Sequence, residues 1–300
     1  MSTQELVIAP HRFAVGYHPQ RFWNWLIGSA FFMGGVGGGT FLISFAGKQL
    51  AGMVAGFLII MVGKSAAHLA FLGRPLRFWR LAMRPDRSWL ARGIWATGIF
   101  GVAGFATVVM QANPHLLGFL PHWLASLTVV MAVLSALFII SYDGFLLRSS
   151  LGVAFWHSFL LPMLLFMYAT LGGITLSITI RELQGREVPG TLVRFEHGLL
   201  VVNLIFLVVY LLRMSRALPA ARETMRLWVS GTYARFFFGL IVTVGLVATL
   251  ALSILGGHVH ATGLVLLIAL CELIGDYTLM MVMLKSGLFA SQTGSVSQSR

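Results

Sequence analysis

This sequence predicts an all-α membrane protein of eight spans, and three observations predict it. Apolar residues make up 58% of the 300 positions and charged residues only 10%, with a mean hydropathy of +0.87; soluble chains carry about 25% charged residues. Eight apolar stretches come close to or exceed the roughly 20 residues that cross the hydrocarbon, at 22–46, 51–72, 93–112, 122–147, 152–180, 196–213, 232–256 and 261–284. Amphipathic aromatics, which settle at the headgroup level, stand at most of their boundaries: Trp23, Trp25, Trp89, Trp95, Trp123, Trp156 and Trp228.

The elements follow in order. Residues 1–21 form a polar N-terminal tail broken by Pro10 and Pro19; without an apolar h-region it does not read as a cleaved signal peptide. The first span carries Gly34, Gly35, Gly37, Gly38 and Gly39. Small residues let helix backbones approach closely, and the same stripe also leaves room for a flat ligand. A second glycine stretch, GGITLSI at 172–178, echoes GGGTFLIS at 37–44 and suggests two four-helix bundles in tandem.

The second span contains Lys64 and His68, four apart and so on one helical face. It leaves the membrane through Gly73 and Pro75 into a loop bearing Arg74, Arg77, Arg80, Arg84, Arg87 and Arg92, interleaved with Phe78, Trp79 and Trp89. Arginines among large aromatics suit the lipid–water boundary and equally a protein docking surface, where Arg and Trp are favoured anchors. The docking candidates are Arg74, Arg77, Trp79, Arg80, Arg84, Arg87 and Trp89.

The fourth span ends in Ser141-Tyr142-Asp143-Gly144, on the same side as the arginine loop, and Asn24 opens the first span there. With His68 they gather hydroxyl, carboxylate, amide and imidazole at one interface, a set able to hydrogen-bond a carbonyl and pass a proton. The eighth span places Glu272 and Asp276 four apart, at a depth similar to Lys64. A lone charge at the bilayer centre costs about 2.5–3.5 kcal/mol on the insertion scale, so Lys64 is expected to pair with one of these acids, as a proton-handling group or a structural ion pair. Residues 290–300 are Ser/Gln-rich and read as a disordered tail.

Charge and cysteine content narrow the classes further. The net charge of +12 lies in the loops, so it marks a membrane face rather than a nucleic-acid partner. Sixteen Lys and Arg gather on the side of the arginine loop and four on the other, an imbalance that places the first side in the cytoplasm. The single cysteine, Cys271, rules out an internal disulfide and a four-thiolate iron–sulfur site in this chain. His68 and His157 at similar depth admit a bis-histidine haem geometrically, but only His68 lies clearly inside a span, so neither haem nor another metal site is expected.

KSAAHLAFLGRPLRFWR (64–80), RSWLARG (87–93), the glycine-rich first span, the Ser-Tyr-x-Gly of 141–144 and CELIGDYTLMMVMLKSGLF (271–289) together resemble the membrane subunits of polysulfide reductases, the NrfD/PsrC-like family. The resemblance spans nearly the whole chain. It implies two four-helix units and a menaquinone site in the cytoplasmic (inner) membrane of a bacterium or archaeon. It further implies a ferredoxin-like four-cluster iron–sulfur subunit as partner, with a molybdopterin catalytic subunit beyond it. Tyr142 matches the family's quinone-contacting tyrosine. The histidine that related anchors carry just before the loop is Phe71 here, with His68 one turn earlier. The resemblance also puts the partner on the outer face, against the charge count.

The function expected is therefore exchange of electrons and protons between menaquinone and an iron–sulfur partner. Tyr142, His68, Asn24 and Asp143 are the quinone-site candidates; Lys64, Glu272 and Asp276 are the buried charged group. Two rivals remain: a secondary transporter coupled through Lys64 with Glu272 or Asp276, as internal repeats and buried charges allow, and a passive anchor with no quinone site.

Overall fold

A computed structural model describes residues 17–115, 121–256 and 262–289. The start of the N-terminal tail, the segment 290–300, and His258 and His260 lie outside these residues.

Eight helices among the described residues are long and apolar enough to span a membrane. The first, Trp25–Ala46, begins three residues later than the hydropathy suggests because Asn24 caps it: its Oδ1 accepts the Leu26 N–H at 3.0 Å. The second, Leu50–Phe71, contains a π-helical turn over Ile59–Lys64, where the Ser65 hydroxyl donates to the Ile60 carbonyl. A 3₁₀ segment, Pro75–Met83, carries the arginine loop. The third span, Trp89–Ala112, starts four residues earlier than expected, at a Ser88 cap whose Oγ accepts the Ala91 N–H at 3.2 Å.

The fourth span is His122–Arg148. The fifth, Leu160–Leu183, is shorter at its start than the apolar stretch from 152, because residues 151–159 turn back into the protein. There Trp156 is buried and donates its indole N–H to the Met283 carbonyl at 2.9 Å, so this ring is core rather than an interface anchor. Trp228 behaves alike, donating to Ser286 Oγ at 2.7 Å from the amphipathic helix Pro219–Val229. The sixth span, Gly190–Ser215, opens directly after Pro189, six residues before the expected start. Phe236–Leu255 and Thr262–Lys285 are the seventh and eighth.

The first span is the hub, packing on the second, fourth, fifth and eighth. A Cβ on Gly39 would collide with the Ala169 carbonyl, and one on Gly173 would collide with the Gly39 backbone. The two echoing glycine motifs therefore meet face to face, and close packing is what the stripe achieves there. The second span also packs on the third, and the third on the fourth; the fifth packs on the sixth and eighth, and the eighth on the seventh.

The ends of the described chain are clasped together. His18–Pro19 pairs antiparallel with Leu288–Phe289, and Val153 bridges to Phe289. Gln20 is buried behind them, its Nε2 donating to the carbonyls of Leu284 at 2.9 Å and Trp23 at 3.0 Å.

Candidate functional site

Beneath the 3₁₀ segment, between the second, third and fourth spans, lies a cavity of about 360 Å³. Its walls are mostly apolar, and Phe78 and Leu81 of the arginine loop lie over it. Five polar side chains enter it: Lys64, Ser65, His68, Thr97 and Tyr142. An apolar pocket of this size with a few convergent polar groups is the usual form of a small-molecule site.

Each polar group is held by a local device. The Lys64 ammonium is buried, donates to Thr97 Oγ1 at 3.2 Å and sits 5.8 Å from the centre of the Tyr142 ring. Thr97 passes its own hydrogen to the Gly93 carbonyl at 2.9 Å, so it meets Lys64 with a lone pair. His68 Nδ1 lies 3.0 Å from the Lys64 carbonyl, one turn back. With that nitrogen carrying the hydrogen, Nε2 is left free as an acceptor. Tyr142 is 2% exposed, edge-on to Phe31 with ring centres 6.4 Å apart and tilted against Phe138 at 6.2 Å. Gly93 makes room for it: a Cβ there would lie 2.6 Å from two atoms of the Tyr142 ring.

Asp143 follows Tyr142 on the helix but points elsewhere. It is buried, interacts electrostatically with Lys64, and lines a second, small cavity of about 30 Å³ together with Tyr168 and Asp276. Asn24 is exposed and committed to its cap, and it is not among the residues lining the larger pocket.

Lys64 does not pair with Glu272 or Asp276 as expected from depth alone. The second span packs on the first and third, whereas the eighth packs on the first, fifth and seventh, so Lys64 meets Thr97 instead and has no carboxylate at ion-pair distance among the described residues. Glu272 instead meets a third acid, Glu196, at the Thr175 hydroxyl, and Asp276 lies one turn further along the eighth span. Glu196 was missed because hydropathy alone starts the sixth span at that residue; the Pro189-Gly190 pair, a helix-start signal, places it two turns inside. His197 lies on this span too, with Nε2 2.7 Å from Ser253 Oγ.

Of the docking candidates, Arg74, Arg77, Arg80, Arg84, Arg87 and Trp79 are exposed. Trp89 is turned inward, stacked on Phe145 with ring centres 5.4 Å apart and covered by the Arg92 guanidinium at 4.7 Å. The loop is tied to the third span by Trp95 Nε1 donating to the Ala82 carbonyl, and by Arg92 donating to the carbonyls of Pro85 and Asp86. His157 lies in the turn before the fifth span, its Nδ1 3.2 Å from the Arg148 carbonyl. Among the described residues no three His, Cys, Asp or Glu side chains are disposed to hold a metal ion.

Eight spans, with a largely apolar pocket under an arginine-rich loop, define a polytopic membrane protein. The family model described as "Polysulphide reductase, NrfD" matches residues 15–291, and the chain belongs to that family. The family comprises quinone-reactive membrane subunits of oxidoreductase complexes. No curated protein matches the chain.

Proposed function

We propose that the chain binds menaquinone in the pocket of Lys64, His68 and Tyr142 and exchanges electrons and protons between it and an iron–sulfur subunit docked on the arginine loop. One observation carries the reading: the cavity places a tyrosine hydroxyl, an imidazole and an ammonium around one apolar space directly beneath the exposed arginines. A bound quinone supplies the two-electron, two-proton chemistry.

The residues of this chain do the rest. Lys64, lodged between Thr97 and the Tyr142 ring, offers a positive charge to a carbonyl oxygen and balances Asp143. Tyr142 donates or returns a hydrogen at its hydroxyl, and His68 accepts or donates at Nε2. The apolar walls keep bulk water from the site. Phe78 and Leu81 close the top, so an electron carrier seated on Arg74, Arg77 and Arg80 stands only a side chain's thickness from the pocket. We place this docking on the outer face of a bacterial or archaeal inner membrane, with a four-cluster ferredoxin-like subunit as carrier and a molybdopterin subunit beyond it. On this view docking contacts, not insertion, account for the loop's arginines.

The test is quinol-linked turnover of the assembled complex with Tyr142→Phe and His68→Ala. Each is expected to lower turnover by about 10²-fold, the range for loss of a positioned acid–base group; wild-type rates in both would sink the reading. The Glu196–Glu272–Asp276 cluster favours the transporter as second reading, and proton-coupled uptake by the chain without any redox partner would select it.

A further inference from the structure

Another cavity, of about 710 Å³, opens on the membrane face of the arginine loop but in the other half of the chain. One wall is the turn before the fifth span, from Leu151 to Leu160. The other is the junction between the sixth span, which ends at Ser215, and the amphipathic helix Pro219–Val229. Arg213 and Arg216 line it, and no Asp or Glu does. The two arginines stand three apart, a spacing that makes side chains neighbours on a helix surface. Both are exposed, and among the described residues neither has a carboxylate at ion-pair distance. The acid of the amphipathic helix, Glu223, is 3.8 Å from Arg226 instead.

Two further features favour a negative charge here. The amphipathic helix begins at the cavity, where Leu218 and Pro219 line it, and its first turn has neither an acidic residue nor a side-chain cap. The positive end of its dipole is therefore unmatched. Ser158 Oγ accepts the Leu160 N–H at 3.2 Å, which leaves its own hydrogen to be donated. The rim has the opposite character. Leu151 is 77% exposed, Phe159 60% and Leu218 65%, although all three are large and apolar. A free phosphate would use the arginines and leave these side chains bare, and an acidic protein surface would set its charges against them. A cationic floor beneath an apolar rim, beside a helix of the kind that lies at headgroup level, matches an anion that carries hydrocarbon.

We propose that this cavity is a site for the phosphodiester headgroup of an anionic phospholipid such as phosphatidylglycerol. Arg213 and Arg216 hold the phosphate oxygens by charge-assisted hydrogen bonds. Ser158 and the start of the amphipathic helix complete the cradle, and the acyl chains pass over Leu151, Phe159 and Leu218 into the bilayer. The site is independent of the quinone reading. It also has a structural consequence. The turn that forms one wall carries Val153, which bridges to Phe289, and Trp156, which donates to the Met283 carbonyl. A lipid that joins this turn to the sixth span therefore fastens the end of the eighth span as well.

The test uses the full chain, delipidated in detergent and returned to nanodiscs of phosphatidylcholine with or without phosphatidylglycerol. Retained lipid is identified by native mass spectrometry, and thermal unfolding is followed in parallel. Wild type is expected to retain phosphatidylglycerol over phosphatidylcholine and to unfold at a higher temperature with it. Arg213→Gln with Arg216→Gln should lower that preference by about tenfold or more, since basic residues at the surface act one by one on an anionic headgroup. Arg186→Gln with Arg194→Gln, exposed on the opposite membrane face, should leave it unchanged. Equal retention of the two lipids by wild type overturns the proposal however the variants fold. So does a wild-type preference in the Arg213 and Arg216 variant, or a loss of the same size in the opposite-face variant. An equal thermal shift from inorganic phosphate at matched ionic strength would make the site one for the free anion. Loss of iron–sulfur subunit capture with the lipid preference intact would make it part of the docking surface. Either result overturns the lipid.

Discussion

Replacing Gly93 with alanine tests the position of Tyr142 more sharply than removing the tyrosine does. The added methyl would meet the ring at 2.6 Å at two carbons and the phenolic oxygen at 3.0 Å. Comfortable carbon–carbon contact begins near 3.5 Å, so the ring must retreat by about 1 Å. Phe31 and Phe138 leave it little room, and Phe138 in turn lies near Trp89 at 6.5 Å. Overpacking of this kind costs about 1–3 kcal/mol, and a misplacement of about 1 Å costs about 10²-fold in rate. Gly93→Ala is therefore expected to lower quinone-linked turnover by ~10–100-fold while the complex still assembles. Gly239→Ala on the seventh span is the control, because a Cβ there meets nothing within 4 Å and the residue does not line the pocket. Turnover and quinone affinity are read side by side in the purified complex; equal rates for both alanine variants and wild type would refute the ring's placement as a wall of the site.

Three further outcomes follow from the packing. Lys64→Met removes the buried ammonium and its hydrogen bond to Thr97 and should change stability in detergent thermal unfolding; combining it with Asp143→Asn tests whether the two buried groups are coupled, and an additive pair would disprove that. Trp156→Phe strips the Met283 carbonyl of its donor and should destabilise by about 1–3 kcal/mol in the same assay. Reversing Arg77, Arg80 and Arg84 to glutamate should weaken capture of the iron–sulfur subunit at least tenfold at low salt, with the difference shrinking at high ionic strength; unchanged capture would remove the loop as the docking surface.

Hydropathy located all eight spans because membrane crossing demands little more than length and apolarity. Their ends were less legible. Ser88 and Asn24 are capping residues whose role depends on backbone geometry, and 152–159 is a turn that buries Val153, Phe155 and Trp156 rather than part of a span. His68 and Tyr142 could be read as one group since the second and fourth spans carry them to the same side, and both line one cavity; Lys64, grouped in the sequence with the acids of the eighth span, lines that cavity too. The partner of Lys64 could not be read, because depth along a helix says nothing of which helices are neighbours. Glu196 was hidden by an error of six residues in one helix start. Asn24 shares the membrane face of the site but not its cavity, a distinction that only side-chain direction makes.

The clasp between residues 18–19 and 288–289 has a consequence for how the protein is made. Gln20 finds its buried acceptor at Leu284, a residue that leaves the ribosome long after the first span has entered the membrane. Synthesis runs from the N-terminus at about 5–20 residues per second, so the hub helix waits roughly 13–50 s before its own entrance is fastened. The second, fourth and fifth spans can pack on it before then, and the eighth span, which carries Leu284, locks the first.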